Sequence, residues 1–393
     1  MPWTIWKNYG PFVFALLAIE FFVTFTFFMF VPFISLYLTG ELGYSLLFAG
    51  VILAVRLVSQ QGVMLIGGYF GDKYGHKKMM MIGFLCRGVG FAGLGLVETP
   101  LALIVMAIIG GIGGTFFSPS LKAVLVSNQP KSEHKTLFAY SNISANAGTI
   151  IGPLFGTLFS VTQFPLLSVI TGLSFALMSF WIFLVPIRSI QSKTKPSLML
   201  GLTEIIHNRS FLLVVVALIP FHFIYQQLFL VYPLIGFTLT GSGGWIFTVL
   251  TLLVVACQMT VTRLSERLSM VRSIQWGYLA MALGFIPLFF HLHVITVIAS
   301  LIGIALGVML IQPTFYSYTV SQAPTERFAL YIGFSNLAMA IGGALGNIIG
   351  GSLYEWLNSL QLLSIYWVIF AIFAFLPIFL LQRILRTSKS PAN

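Results

Sequence analysis

Apolar stretches long enough to cross a lipid bilayer recur from one end of this chain to the other. A helix needs about 20 apolar residues to span the hydrocarbon. Windows of that kind lie at 11–38, 46–69, 79–97, 101–127, 137–162, 166–187, 210–239, 243–262, 273–293, 294–320, 329–356 and 361–384. Only His291-Leu-His293 interrupts the run between the ninth and the tenth. In lipid a segment must satisfy its own backbone polar groups, so each window predicts a helix. Charged residues make up 7% of the 393, apolar residues 58%, and mean hydropathy is +0.99. So few charges cannot supply a polar skin. A soluble globular enzyme, a disordered chain and a collagen-like chain are thereby excluded. An outer-membrane barrel would show short alternating segments instead. The expected fold class is an all-α membrane protein with twelve transmembrane helices.

The formal charge is +11, and its distribution gives an orientation. Of the 20 basic residues, all but Arg56, Arg87 and Lys122 fall at the chain ends or in alternate loops, at Lys7, Lys73, Lys77, Lys78, Lys131, Lys135, Arg188, Lys193, Lys195, Arg209, Arg263, Arg267, Arg272, Arg327, Arg383, Arg386 and Lys389. The intervening loops at 39–45, 98–100, 163–165, 240–242, 291–293 and 357–360 hold no Lys or Arg. By the positive-inside rule both termini are expected in the cytoplasm. Charge spread over every inner loop forms no patch for nucleic acid. The first apolar run is long enough to span, so no cleavable signal peptide is expected. The loops leave no room for a soluble catalytic domain. They carry no nucleotide loop, metal cluster or nucleophile–base set, so no enzyme, cofactor or metal site is expected. Cys86 and Cys257 lie in apolar runs and are expected to be packing residues.

The two halves match at a constant offset of 194 residues. Asp72 falls on Glu266, Lys73 on Arg267 and Lys78 on Arg272; Gly83, Gly90 and Gly113 fall on Gly277, Gly284 and Gly307. Pro119 falls on Pro313, Pro130 on Pro324, Ser141-Asn142 on Ser335-Asn336, and Gly148, Gly152 and Gly156 on Gly342, Gly346 and Gly350. An ungapped series that includes charges and prolines is a repeat. It predicts two pseudo-symmetric six-helix bundles, 1–187 and 210–393 with the C-terminal tail, joined by a cytoplasmic linker, 188–209. Parallel repeats of this kind are a transporter plan, with substrate held between halves that rock.

Two motifs sharpen this. Gly68-x-x-Gly71-Asp72-Lys73-x-Gly75-His76-Lys77-Lys78 follows the second window, and Gly75 permits a tight turn. Gly148-x-x-x-Gly152-Pro153-x-x-Gly156 lies in the fifth, where small residues let backbones approach and Pro153 permits a bend. The first resembles the cytoplasmic signature of the major facilitator superfamily, with Lys73 and His76 where arginine is usual. The second resembles the antiporter signature of that superfamily's exporters, with Thr157 for its last glycine. The resemblance implies a conformational latch at Gly68, Asp72, Lys73, Gly75 and Lys78, and an antiporter motif at Gly148, Gly152, Pro153 and Gly156. One departure stands out: the arginine that drug exporters carry in the fourth span would fall at Ala107, before Gly111 and Gly113. Arg56 with Gln60-Gln61, Arg87, and Phe117-Ser118-Pro119-x-x-Lys122 together resemble short bacterial multidrug exporters, more in the first half than in the second.

Ionisable residues within spans cost at least ~2.5–3.5 kcal/mol each and mark function by default. Glu20 is the only acid deep in a window, about 14 Å along the first helix and near the midplane. It is the candidate proton-coupling and cation-sensing carboxylate, or else half of an ion pair with Arg56 or Arg87. Arg56, with Gln60 one turn away, and Arg87 are candidate cavity residues, as partners of Glu20 or contacts for an anionic substrate. Lys122 is expected to reach for the interface. His222, Tyr225, Gln226 and Gln227 cluster in the seventh window. Aligning Val31-Pro32 with Tyr232-Pro233, an offset of 201, puts His222 one residue from the depth of Glu20, as a second proton-coupling candidate. Asn142, Asn146, Gln258, Gln312, Tyr316, Asn336 and Asn347 are further cavity candidates, or hydrogen-bonding glue between helices. The aromatic run Phe21–Phe30 suits a bulky lipophilic substrate or contact with lipid.

The expectation is a proton-coupled antiporter exporting small lipophilic or amphipathic compounds by alternating access. It would act as a monomer, with substrate, protons and bilayer as partners. Export of a self-made metabolite such as a siderophore, and uptake by proton symport, are the alternatives.

Overall fold

A computed structural model describes residues 2–127, 129–159, 161–187, 198–323 and 328–387. The described residues form helices and connecting turns. In chain order the helices are α1 (Pro2–Phe30), α2 (Ile34–Gly40), α3 (Leu46–Leu57), α4 (Met64–Tyr74), α5 (His76–Leu96), α6 (Pro100–Val126), α7 (Lys131–Gly156), α8 (Phe164–Leu184), α9 (Leu198–His207), α10 (Arg209–Tyr225), α11 (Gln227–Leu230), α12 (Tyr232–Thr240), α13 (Trp245–Ser265), α14 (Met270–Phe290), α15 (Val294–Gln322), α16 (Phe328–Ser359) and α17 (Leu363–Thr387). Among the described residues nine helical stretches are long and apolar enough to cross a membrane, and a bent pair makes ten. The fifth and twelfth windows are helical too, as α7 and α17, but fall outside that set. The polar face of α7, with Ser141, Asn142, Ser144 and Asn146, lowers its hydropathy. Part of the expected linker, 188–197, and the repeat's Pro324 lie outside the described residues; the rest of the linker forms α9 and its junction with α10.

Several windows are broken where the sequence weakens a helix. Gly10, at φ +76°, kinks α1 before Pro11, a backbone region that L side chains rarely adopt. The second window bends by 52° between α3 and α4. The break is a π-turn, Val58–Gly62, just past Arg56. Such turns sit preferentially at functional positions. Gly75, at φ +95°, separates α4 from α5 and makes the tight turn expected of it. The seventh window is cut at Gln226 and again at Val231, leaving the one-turn helix α11.

Contacts group the chain into two compact units, Met1–Tyr44 with Val55–Thr194, and Ser45–Ala54 with Lys195–Asn393. The same pairing scheme operates in each. In the first, α1 packs on α7, α5 on α6 and α8, and α4 on α6; in the second, α10 packs on α16, α14 on α15 and α17, and α13 on α15. The repeated glycines are where these pairs touch. A Cβ on Gly83 would press on the Gly113 carbonyl at 2.7 Å, and one on Gly277 would lie 3.3 Å from that of Gly307. Ser45–Ala54 belongs to the second unit because it packs on α16. Gly50 lies against the Asn347 carbonyl, Gly351 against Leu46, and the Glu355 carboxylate accepts the Leu46 N–H.

Candidate functional site

The polar residues of the first unit begin with Glu20. It lies half-buried on α1, one turn before the stripe where α7 closes on that helix. Cβ atoms on Gly148 and Gly152 would meet the Phe21 and Phe25 carbonyls, each at 2.5 Å. The antiporter-like glycines therefore exist because two backbones meet, and they fix α1 beside Ser141 of α7. The polar neighbours of Glu20 are Lys122, on α6, and Ser141. Neither Arg56 nor Arg87 pairs with it, which corrects that expectation. Lys122 is exposed, and its charge acts on Glu20 from beyond direct ion-pair distance. Residue spacing along one chain gave no view of α6 and α1 side by side, so this partner was missed.

The arginines meet each other instead. Arg56, 5% exposed, and Arg87, 2% exposed, both stack on the Phe27 ring, at 5.2 and 5.0 Å from its centroid. Phe91, Phe117 and Phe175 complete an aromatic box around Arg87, at 5.0, 5.3 and 5.7 Å. Arg56 Nη1 donates to Gln60 Oε1 at 3.3 Å, while Arg56 Nε, Arg87 Nε and Arg87 Nη1 are buried with no acceptor among the described residues. Gln61 Oε1 is buried without a donor. The π-turn opens the Ser59 and Gln60 carbonyls, and Thr115 Oγ1 donates to them at 3.0 and 2.8 Å. The glycines of α6 make the room. A Cβ on Gly111 would press on the Arg56 carbonyl, and one on Gly114 would collide with Arg87 Nη1 and Gln60. Of the two glycines that follow Ala107, Gly111 lies against the Arg56 backbone and Gly113 against the Arg87 backbone. Each cation–π contact contributes about 0.5–2 kcal/mol. Taking an ion out of water costs several kcal/mol, so aromatic faces alone leave this pair under-compensated.

The α4–α5 turn is anchored by residues the motif does not emphasise. His76 Nε2 faces Asp72 Oδ1 at 3.4 Å, and His76 Nδ1 lies 3.3 Å from Ser120 Oγ on α6. A Cβ on Gly71 would strike the His76 ring. Lys77 Nζ donates to the Phe183 and Val185 carbonyls at 2.9 and 2.8 Å, capping the end of α8. Lys73 lies over Tyr74 and Tyr69, at 5.1 and 5.9 Å. Gly68 has nothing near its Cβ position, and Lys78 is exposed.

In the second unit the packing register moves His222. The Phe21 carbonyl meets Gly148 as the Ile219 carbonyl meets Gly342, and Phe25 meets Gly152 as Phe223 meets Gly346, an offset of 198. Leu218 therefore stands at the depth of Glu20, and His222 one turn further on, level with Thr24. The short helix α11 absorbs the three residues by which the proline alignment differs. The His222 ring packs on Phe221 and makes no hydrogen bond among the described residues. Tyr225 stacks on Phe221 and meets Phe229 edge-on, and Gln226 is buried. Gln227 is helix glue: Nε2 donates to the Gly346 carbonyl at 2.8 Å, and Oε1 accepts from Tyr366 at 2.7 Å. Gln258 donates to Thr262 at 3.0 Å. Asn142, Asn146, Gln312 and Tyr316 are exposed, Asn336 is half-buried, and Asn347 is fully buried with its side-chain amide unpaired. Cys86 is half-buried and Cys257 exposed, so the second is not the packing residue expected.

Comparison with known proteins fits this architecture. The family model for the Major Facilitator Superfamily matches residues 16–347 and 237–393. Proteins named Multidrug resistance protein MdtH are similar over most of the chain. That of Yersinia enterocolitica is 26% identical, and that of Yersinia pestis strain Pestoides F 28%; each alignment covers 88% of this chain and 87% of the relative. Among solved structures, a POT family transporter in complex with 5-aminolevulinic acid superposes with a TM-score of 0.81 at 15% identity, covering 98% of both chains. The POT family transporter PepTSo gives 0.81 at 14%, covering 95% of this chain and 97% of that one. At such identities the structures share the fold.

Proposed function

We propose that this chain, which belongs to the Major Facilitator Superfamily and is therefore a membrane transporter rather than an enzyme, exports small lipophilic or amphipathic compounds in exchange for protons. The observation that carries this reading is Glu20. Its carboxyl lies against α7, with one basic side chain, Lys122, acting on it. A carboxylate there serves two exclusive partners. Unprotonated, it attracts a cationic cargo; once a proton binds, that attraction and the attraction to Lys122 both vanish. Cargo release and proton loading are thereby coupled without any covalent step. The similarity to proteins named for multidrug resistance supports the cargo class.

The remaining assignments follow that reading. The two six-helix bundles, 1–187 and 210–393, rock as rigid bodies about the linker. The α4–α5 turn, with Asp72, Lys73, Gly75 and Lys78, latches one state, and the glycine stripe of α7 keeps α1 and Glu20 in register. His222, Tyr225, Gln226, Asn142, Asn146, Gln312, Tyr316 and Asn336 contribute polar contacts to the cargo path. The protein works as a monomer in a bacterial plasma membrane with both termini in the cytoplasm. A second reading has specific support: two arginines without a carboxylate favour a cargo bearing an anionic group, such as a metal-chelating metabolite.

Inverted vesicles with an acidic lumen test the direction. An antiporter accumulates a fluorescent lipophilic cation inside them and turns the lumen more alkaline as it enters. Accumulation only when the gradient is reversed would mean symport and would overturn the proposal.

A further inference from the structure

Two guanidinium groups share one phenylalanine ring inside the first unit, yet among the described residues neither has a carboxylate partner. They lie close enough for their charges to repel. Three of their N–H directions end in buried, acceptor-free positions. Among the described residues the one acceptor that serves them is Gln60 Oε1, and the amide oxygen of the next residue, Gln61 Oε1, goes unused. Buried polar groups are almost always hydrogen-bonded, and buried charges are paired. Orphan donors on a pair of like charges, more than nine-tenths buried, call for an acceptor that also carries negative charge. Water would answer the hydrogen bonds and leave the repulsion.

We infer that Arg56 and Arg87, with Gln60 and the Phe27 ring, form a buried binding site for one compact monoanion, a halide or a carboxylate group. The anion accepts from Arg56 Nε and from Arg87 Nε and Nη1. Its size is limited by the walls: Phe91, Phe117 and Phe175 surround Arg87, and α6 at Gly114 closes one side of Nη1. The site sits at the break between α3 and α4, since Arg56 lies just before the π-turn, Val58–Gly62, and Gln60 within it. The site involves residues of the first unit alone. It does not rest on the direction of transport or on proton coupling.

Thermal unfolding of the purified protein tests this, followed by tryptophan fluorescence at constant ionic strength and with no pH gradient. The salts are sodium chloride, bromide, acetate and gluconate, the last too bulky for the box. Wild-type protein is expected to unfold about 3 °C higher in a site-saturating salt than in gluconate. A rise with halides identifies a free inorganic ion; a rise with acetate alone identifies a carboxylate arm of a larger ligand. Arg56→Met and Gly114→Ala are expected to abolish the rise, the second by displacing Arg87 Nη1. If these variants fail to fold, anomalous scattering from bromide-soaked wild-type crystals decides, with a peak expected between the two guanidinium groups. Identical unfolding in all four salts with no bromide peak, or a halide effect that survives in both variants, would overturn the site. Either result leaves the vesicle experiment unaffected.

Discussion

Glu20 and the two arginines show how far a single residue's meaning depends on what the fold places beside it. One acid and two bases in neighbouring spans invite an ion-pair reading, yet among the described residues the acid pairs with neither arginine and the bases face phenylalanine. The residues themselves were legible, since charges in apolar runs are rare enough to find by inspection. Their partners were not. Which side of α6 meets α1 depends on helix rotation, and a sequence fixes rotation only through packing. Lys122→Met is accordingly expected to impair proton-coupled export strongly, while Lys122→Arg retains most of it, measured as substrate-driven pH change in proteoliposomes. Equal activity in Lys122→Met and wild type would remove Lys122 from the account.

At the scale of helices, glycine spacing was the informative signal. The stripe Gly148, Gly152 and Gly156 predicted close approach to another helix, and α7 does close on α1. Gly152→Leu is expected to destabilise the protein by about 1–3 kcal/mol through overpacking, read as a lower unfolding temperature. Gly346→Leu in the repeat should match it, because Gly346 meets Phe223 as Gly152 meets Phe25. Gly68→Ala is the contrast. With nothing near its Cβ position and helical backbone, alanine there is expected to be neutral or stabilising by up to ~1 kcal/mol. Gly75→Ala is expected to cost ~1–2 kcal/mol, since φ +95° strains any residue with a side chain. What the sequence hid at this scale was register. The proline pair Pro32 and Pro233 aligned cleanly, but α11 inserts a turn before the second, so His222 lies level with Thr24 rather than Glu20. The π-turn after Arg56 falls on the polar stretch Ser59-Gln60-Gln61-Gly62, which was read as a set of side chains and not as a break in the helix.

For the molecule as a whole, apolar runs, scarce charge and the 194-residue repeat were enough to reach the fold class, and it took the motifs at Gly68–Lys78 and Gly148–Gly156 to suggest the superfamily. The fold class was within reach because a bilayer permits so few solutions. The assignment of Ser45–Ala54 to the second unit was not readable, since it follows from Gly50 and Leu46 meeting α16. Orientation is testable at this scale. In a Cys86→Ser, Cys257→Ser background, a cysteine replacing Gln163 or Ser242 is expected to react with an impermeant maleimide in intact cells. One replacing Ser269 should react only in inverted vesicles. The reverse pattern would invert the topology and with it the side from which protons load. The central claim is that one carboxylate is exchanged between proton and cargo. Its most direct test is substrate-driven proton movement in proteoliposomes holding wild-type or Glu20→Gln protein. The variant, matched for folded protein, is expected still to bind cargo but to move no protons in exchange for it. Undiminished proton exchange by Glu20→Gln would contradict the claim.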